Sequence, residues 1–174
     1  MSKKTKPIRA TSEPNHGVIS VGQKIDTGFP LKVVQDGVLR EVVFRDLLAK
    51  PAVVSVYMKN NTPSCDRQND SLAAHAGEFA ALGYDLIALS RDTCGSHLKY
   101  ASKKGISYTL GSDPDDAFAR AADSIVAKSM YGKTYQGPAR AAFVIATDGT
   151  VLAVIDKVDT KDHAAQLKAV LATL

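Results

Sequence analysis

The 174-residue chain contains no tryptophan, only two cysteines and three methionines, and aromatic residues make up just 6% of it. Cys65 and Cys94 cannot build the crossed disulfide framework of a small secreted domain, and a chain of this length does not need one to hold a core together. Two thiols used this way fit a reducing compartment, so the cytoplasm is the expected location. No apolar run approaches the roughly 18 residues of a membrane-spanning helix, and the early lysines are not followed by the apolar segment of a secretory signal. No membrane partner is expected. An excess of charge of one sign is confined to the first residues. The formal net charge is +4, and Lys3, Lys4, Lys6 and Arg9 against Glu13 supply most of it. That segment has no interleaved aromatics and the remainder has no basic stripe, which argues against nucleic acid as a partner. Residues 1–17 therefore read as a flexible basic lead-in, and 18–174 as one domain.

What the chain does have is a β-α-β-α alternation of apolar patterns. Two short runs between Leu31 and Phe44 flank Asp36-Gly37, a dipeptide suited to a tight hairpin turn. A short helix over 44–49 leads to an apolar run over 52–58, read as a buried strand, and Leu72, Ala76 and Phe79 mark the helix after it. A second apolar strand over 85–89 precedes a helix over 95–104 and an extended piece at 108–110. Ser112-Asp113-Pro114 then suits the start of another helix. Runs over 141–146 and 150–157 surround Asp148-Gly149 as a second hairpin, and Leu167, Val170, Leu171 and Leu174 give the closing helix an apolar face. The expected fold is α/β: a mixed central sheet with a parallel centre, an antiparallel hairpin edge and flanking helices.

Cys65 falls where the strand over 52–58 gives way to a helix, within the first helical turn. Unpaired backbone N–H groups and the positive end of the helix dipole stabilise a thiolate there. Thr62 and Gln68 occupy the positions three residues to either side, so there is no Cys-x-x-Cys dithiol, and Ser71 excludes a Cys-x5-Arg phosphate loop. Zinc could draw on Cys65, His75, Cys94 and His97. Their spacings match no common zinc site, however, and His75 falls with Leu72 and Phe79 on the apolar face of its helix. Neither a metal nor another cofactor is expected.

Thr62-Pro63-Ser64-Cys65, Ser90-Arg91-Asp92 with Ser96-His97, Ser112-Asp113-Pro114, Met130-Tyr131-Gly132-Lys133 and Gly137-Pro138-Ala139-Arg140 resemble successive landmarks of a peroxiredoxin. The resemblance is to the peroxiredoxin Q type, also called bacterioferritin comigratory proteins, and runs from about residue 21 to 174. It implies a thioredoxin-like fold and a monomeric peroxidase acting on hydrogen peroxide and organic hydroperoxides through a cysteine sulfenic acid. Thioredoxin, glutaredoxin or glutathione is the implied reductant. Cys65 matches the peroxidatic cysteine, Thr62 the active-site threonine and Arg140 the arginine beside the thiolate. Gln68 stands where relatives often carry a glutamate that contacts that arginine.

Two positions depart from the pattern. Met58 replaces a common proline in the pocket floor, which is expected to widen or soften the site. Asp66 replaces a hydroxylated residue and brings a negative charge near Cys65, and at about 6 Å with an effective dielectric of 20 to 80 the repulsion is roughly 0.7–2.8 kcal/mol. Arg67 or Arg140 is expected to offset it. Asp70 and Ala101 occupy the usual locations of a resolving cysteine, which leaves Cys94 as the only internal candidate. The competing class is a non-enzymatic redox sensor or binding module that oxidises at Cys65 but turns over poorly. Glutathione peroxidase, which shares the fold, uses an active-site tryptophan that this chain lacks.

Overall fold

In the computed structural model, which describes residues 19–174, Asp36 and Gly37 take φ values of 51° and 74°. A two-residue hairpin turn needs this backbone, and Asp and Gly tolerate it. The turn joins β1 (Pro30–Gln35) to β2 (Val38–Val43) with Gln35 opposite Val38. A 3-10 turn at Phe44–Leu47 leads into β3 (Ala52–Val56), followed by α1 (Pro63–Ala81), β4 (Asp85–Ser90), α2 (Cys94–Lys104), β5 (Thr109–Ser112) and α3 (Ala117–Ala121). β6 (Ile125–Met130) and β7 (Lys133–Pro138) form a separate two-stranded arm. β8 (Ala141–Ile145), β9 (Val151–Ile155) and α4 (His163–Leu171) complete the chain. The basic lead-in read over 1–17 lies outside the described residues.

The main sheet runs β2-β1-β5-β4-β3-β8-β9. β3, β4 and β5 are parallel at its centre, and antiparallel hairpins form both edges, so the expected mixed architecture holds. All five residues of β3 are buried, as befits a strand covered on both faces. Val54 and Val56 pack with Phe44, Phe118 and Phe143 on one side, while Val53 and Tyr57 pack with Leu72, Phe79 and Leu167 under the helices on the other. Parallel pairing sets Val56 beside Leu89, so the chain leaves β3 and β4 at one edge of the sheet, and the helices that start there carry Cys65 and Cys94. Among the described residues no helix is long and apolar enough to cross a membrane.

Several boundaries differ from the sequence reading for local reasons. β3 ends at Val56 rather than at residue 58. The Tyr57 N–H still reaches the Leu89 carbonyl at 3.0 Å, but its hydroxyl turns to Asn60 Oδ1 at 2.6 Å and the chain leaves the sheet. Leu174 lies beyond α4 and is exposed, so that helix ends its apolar face at Leu171. The β6–β7 arm was not expected, because its turn is Tyr131-Gly132 (φ 53° and 77°) and tyrosine is an unusual occupant of that backbone region. The next helix starts at Ala117, with Asp116 at its N-cap, later than Ser112-Asp113-Pro114 suggests, yet the Asp113 carboxylate accepts the N–H groups of Ala117 at 2.7 Å and Phe118 at 3.0 Å.

Phe118 is fully buried between Phe44 and Phe143, with ring centroids 5.4 and 5.3 Å away. Phe118→Ala is expected to lower the unfolding free energy in urea by about 3–5 kcal/mol. A loss below about 1 kcal/mol would show that the face of the sheet away from α1 does not hold the fold together.

Candidate active site

Pro63 at the first position of α1 has no N–H to leave unsatisfied, and Thr62 occupies the N-cap position before it. The Asp66 N–H closes the first turn on the Thr62 carbonyl at 2.8 Å, which sets Cys65 inside that turn with 1% of its surface exposed. The Thr62 side chain makes no capping bond. Its hydroxyl donates instead to the Lys59 carbonyl at 2.8 Å, so Thr62 caps with its backbone and keeps its side chain within the loop that leads to Cys65.

Arg140 comes from the residue before β8, the strand that pairs with β3 on the other side from β4. Its Nη1 donates to Cys65 Sγ at 3.4 Å and to Gln68 Oε1 at 2.7 Å. Gln68 lies one turn along α1 from Cys65, fully buried, and its amide donates to Ser55 Oγ at 2.8 Å. Cys65, Thr62, Gln68 and Arg140 are therefore brought together. Burial pushes the Cys65 thiol up, but the Thr62 hydroxyl, the backbone of Lys59 and Met58 and the Arg140 guanidinium outweigh it and hold the pKa below the ordinary thiol value.

Cys94 is the first residue of α2, behind Thr93, whose hydroxyl accepts the Ser96 N–H at 3.1 Å. Here burial dominates and Lys32 offsets only part of it, so this thiol is raised. Neither cysteine is in a disulfide. Asn60 ties the loop before Cys65 to the start of α2: its N–H donates to Asp92 Oδ2 at 2.9 Å and its side-chain amide to Ser96 Oγ and His97 Nδ1, both at 3.1 Å. The other ring nitrogen of His97 donates to the Gly111 carbonyl at 3.0 Å.

The four residues considered for zinc are engaged separately. His75 is half-exposed at the edge of the apolar stripe rather than on it, paired with Glu78, which also takes Lys168 of α4 at 2.6 Å. The Asp66 charge is met from α2, by the Tyr100 hydroxyl at 2.7 Å and Lys104 Nζ at 3.8 Å. Arg67, expected to offset it, donates to Ser64 Oγ instead. Met58 lines an open cleft of about 860 Å³ with Val126, Lys128, Ala139 and Arg140. Lys128 Nζ donates to Met58 Sδ at 2.8 Å, and burial together with Arg140 and Arg91 holds this ammonium below the ordinary lysine value. Sequence reasoning missed Lys128, which sits in the unexpected arm, and Ser55, a small residue inside an apolar strand. The result is a buried, ionisable sulfur beside a cleft of mixed apolar and charged lining, with cationic and hydroxyl donors around it, an arrangement suited to nucleophilic attack that expels a charged oxygen.

The thiolate also carries a stability signature. The folded-state pKa of Cys65 is depressed, so its thiolate adds stability that is complete above the unfolded value of about 8.5 and is lost as pH falls through the folded value. Under reducing conditions, the melting-temperature advantage of the parent protein over Cys65→Ser is expected to grow as pH rises toward that value. An advantage that shrinks with rising pH would contradict a depressed thiol.

Residues 21–154 match the AhpC/TSA family. Peroxiredoxin Bcp of Xanthomonas campestris pv. campestris is 37% identical over 122 residues, 70% of this chain and 74% of that protein. Peroxiredoxin Bcp of Escherichia coli K12 is 32% identical over 129 residues, 74% of this chain and 81% of that protein. Among solved structures, Xanthomonas campestris Peroxiredoxin Q superposes with a TM-score of 0.78 at 30% identity, covering 88% of this chain and 97% of that one. A structure of the Xanthomonas campestris bacterioferritin comigratory protein, described for its alkyl peroxide reduction activity, gives a TM-score of 0.78 at 29% identity, with 88% and 98% covered. With the thioredoxin-like fold and most of its length shared with these proteins, the chain belongs to the AhpC/TSA family, as a peroxiredoxin of the Bcp or peroxiredoxin Q type.

Proposed function

We propose that this chain, a thiol-dependent peroxidase by family, reduces hydrogen peroxide and organic hydroperoxides with Cys65 as its peroxidatic cysteine. The observation that carries the assignment is Arg140 Nη1, 3.4 Å from Cys65 Sγ and anchored on Gln68. The Cys65 thiolate attacks one peroxide oxygen. The S–O bond forms as the O–O bond breaks, and the electron pair leaves on the distal oxygen, which takes a proton and departs as water or alcohol.

Ionisation explains only part of such a rate. A thiol of pKa about 8.5 is roughly 3% ionised at pH 7 and one near 6 about 90%, a gain of about thirtyfold. The remainder must come from donors that meet charge as it moves onto the departing oxygen. Arg140 is one such donor. Thr62 is the other, since the proton it now gives to the Lys59 carbonyl can turn toward a bound peroxide. The cleft walls of Met58, Val126 and Ala139 beside Arg140 support an alkyl substituent, in keeping with the activity described for the Xanthomonas relative.

Cys94 is assigned as the resolving cysteine, on the support of the adjacent ends of β3 and β4. Its thiolate attacks the Cys65 sulfenic sulfur, forming the disulfide and releasing water. Both thiols are buried, so the bonds of Asn60 to Asp92, Ser96 and His97 and the first turn of α1 have to open first. A thiol reductant, thioredoxin, glutaredoxin or glutathione, then restores both cysteines, and a chemistry that requires such a pool supports a cytoplasmic location.

Reduced protein treated with one equivalent of hydrogen peroxide is expected to lose two hydrogens in intact mass, with the Cys65 and Cys94 peptides joined. Oxygen retained on Cys65 with Cys94 free would remove Cys94 from the cycle. An unmodified Cys65 would contradict its peroxidatic role.

A further inference from the structure

Ser55, Gln68 and His163 are fully buried polar side chains from three different elements, β3, α1 and the first residue of α4. Groups so placed need their hydrogen bonds satisfied, and here the direction of each bond is forced. Arginine only donates, so the Gln68 oxygen must face Arg140 Nη1 at 2.7 Å and its NH2 must face Ser55 Oγ at 2.8 Å. Having accepted from Gln68, the Ser55 hydroxyl gives its proton to His163 Nε2 at 3.1 Å.

The far end is fixed independently. Gln166 Nε2 donates to the Lys157 carbonyl at 2.8 Å, and its Oε1 accepts the Asp159 N–H at 2.9 Å. That oxygen therefore also takes the His163 Nδ1–H at 3.2 Å. The far end sets the order, a neutral imidazole protonated on Nδ1, and the Ser55 hydroxyl, which has its proton left to give, fits it. Burial keeps it neutral, pushing the His163 pKa down to about 4 with help from the Arg140 charge and against the pull of Gln166 and Asp159.

We infer that His163 is a positioning residue of the peroxidatic site, which through Ser55 holds the Gln68 oxygen toward Arg140 and thereby holds Nη1 on Cys65 Sγ. This rests on Cys65 being the reacting thiol. Without an acceptor at 163, the Ser55 hydroxyl is free to turn toward Gln68 Oε1. The amide is then held toward the guanidinium by Arg140 alone, with its other end no longer fixed by an accepting Ser55, and the anchor of Arg140 loosens. A histidine that merely filled space under α4 would alter thermal stability and leave the thiolate as it was.

The experiment compares His163→Leu, which has no acceptor, with His163→Gln, whose carbonyl oxygen reaches the place of Nε2. Ser55→Ala breaks the same relay from the strand side, and Cys65→Ser serves as control. Two quantities are read in folded protein: the pH midpoint of the ultraviolet thiolate absorbance, and the second-order rate with hydrogen peroxide. His163→Leu and Ser55→Ala are each expected to raise the midpoint and slow the peroxide reaction about tenfold, the lower end of what losing the partner of a ligand costs at metal centres. The double variant should be no slower than either single one, and His163→Gln should restore both readouts. If His163→Leu does not fold, Ser55→Ala decides. A folded His163→Leu or Ser55→Ala with the parental midpoint and rate overturns the relay alone, provided the Cys65→Ser control is inactive. Peroxide reaction persisting in Cys65→Ser overturns the site assignment and the relay with it.

Discussion

A thiolate with 1% of its surface exposed has to be held by hydrogen-bond donors and a fixed positive charge: the Thr62 hydroxyl and the backbone of Lys59 and Met58 supply the first, and Arg140 supplies the second. The contact to sulfur at 3.4 Å is an ordinary N–H···S distance and the contact to Gln68 at 2.7 Å a short N–H···O one, so one guanidinium nitrogen is shared between the amide that anchors it and the sulfur. The chemistry of residue 68 matters here. A carboxylate would bind the arginine more tightly but also neutralise it, whereas a neutral amide orients the cation and leaves its charge for the sulfur and for the oxygen that departs. Lys128 adds a second positive charge across the cleft, restrained by its own burial and by the like charges of Arg140 and Arg91.

The sheet supplies the geometry that this contact needs. β3 and β8 are antiparallel with Val56 opposite Ala141, so β8 begins where β3 ends. Arg140 therefore enters at the level at which the chain leaves β3 for the loop and the first turn of α1. With a rise of about 3.3 Å per residue, a slip of two residues in that pairing would carry the guanidinium some 6–7 Å from the sulfur. The parallel neighbour β4 brings the start of α2 to the same edge, where Asn60, Asp92, Ser96 and His97 fasten the loop before Cys65. One side of β3 thus supplies the charge, and the other side supplies the bonds that fasten the loop before Cys65.

The sheet and the placement of Cys65 in the opening turn of a helix were legible in the sequence because both leave local marks. Apolar runs, Asp-Gly turns and a cysteine in the opening turn of a helix involve residues close together in the chain. Arg140 and Gln68 were legible only through family resemblance, since no periodicity links positions 72 residues apart. Ser55 and His163 meet across 108 residues, and nothing near either one announces the other. His75 and Asp66 were misjudged for a related reason. A helical pattern shows which face a residue occupies, but not that Lys168, Tyr100 or Lys104 will arrive from another helix to meet it. The β6–β7 arm, which carries Lys128 to the cleft, escaped because its turn uses tyrosine where asparagine or aspartate is usual.

The most direct measurement of whether Arg140 serves the breaking O–O bond, and not ionisation alone, compares two reactions of Cys65 in the parent and in Arg140→Lys. Alkylation by iodoacetamide reports thiolate that is present and accessible. Reaction with hydrogen peroxide needs, in addition, donors placed on a departing oxygen, and lysine offers a single mobile point charge in place of a planar fork. The expected result is a modest loss in alkylation rate and a loss of about a hundredfold or more in peroxide rate. Equal losses in both reactions would contradict it, and would leave Arg140 as a counter-ion for the thiolate and nothing more.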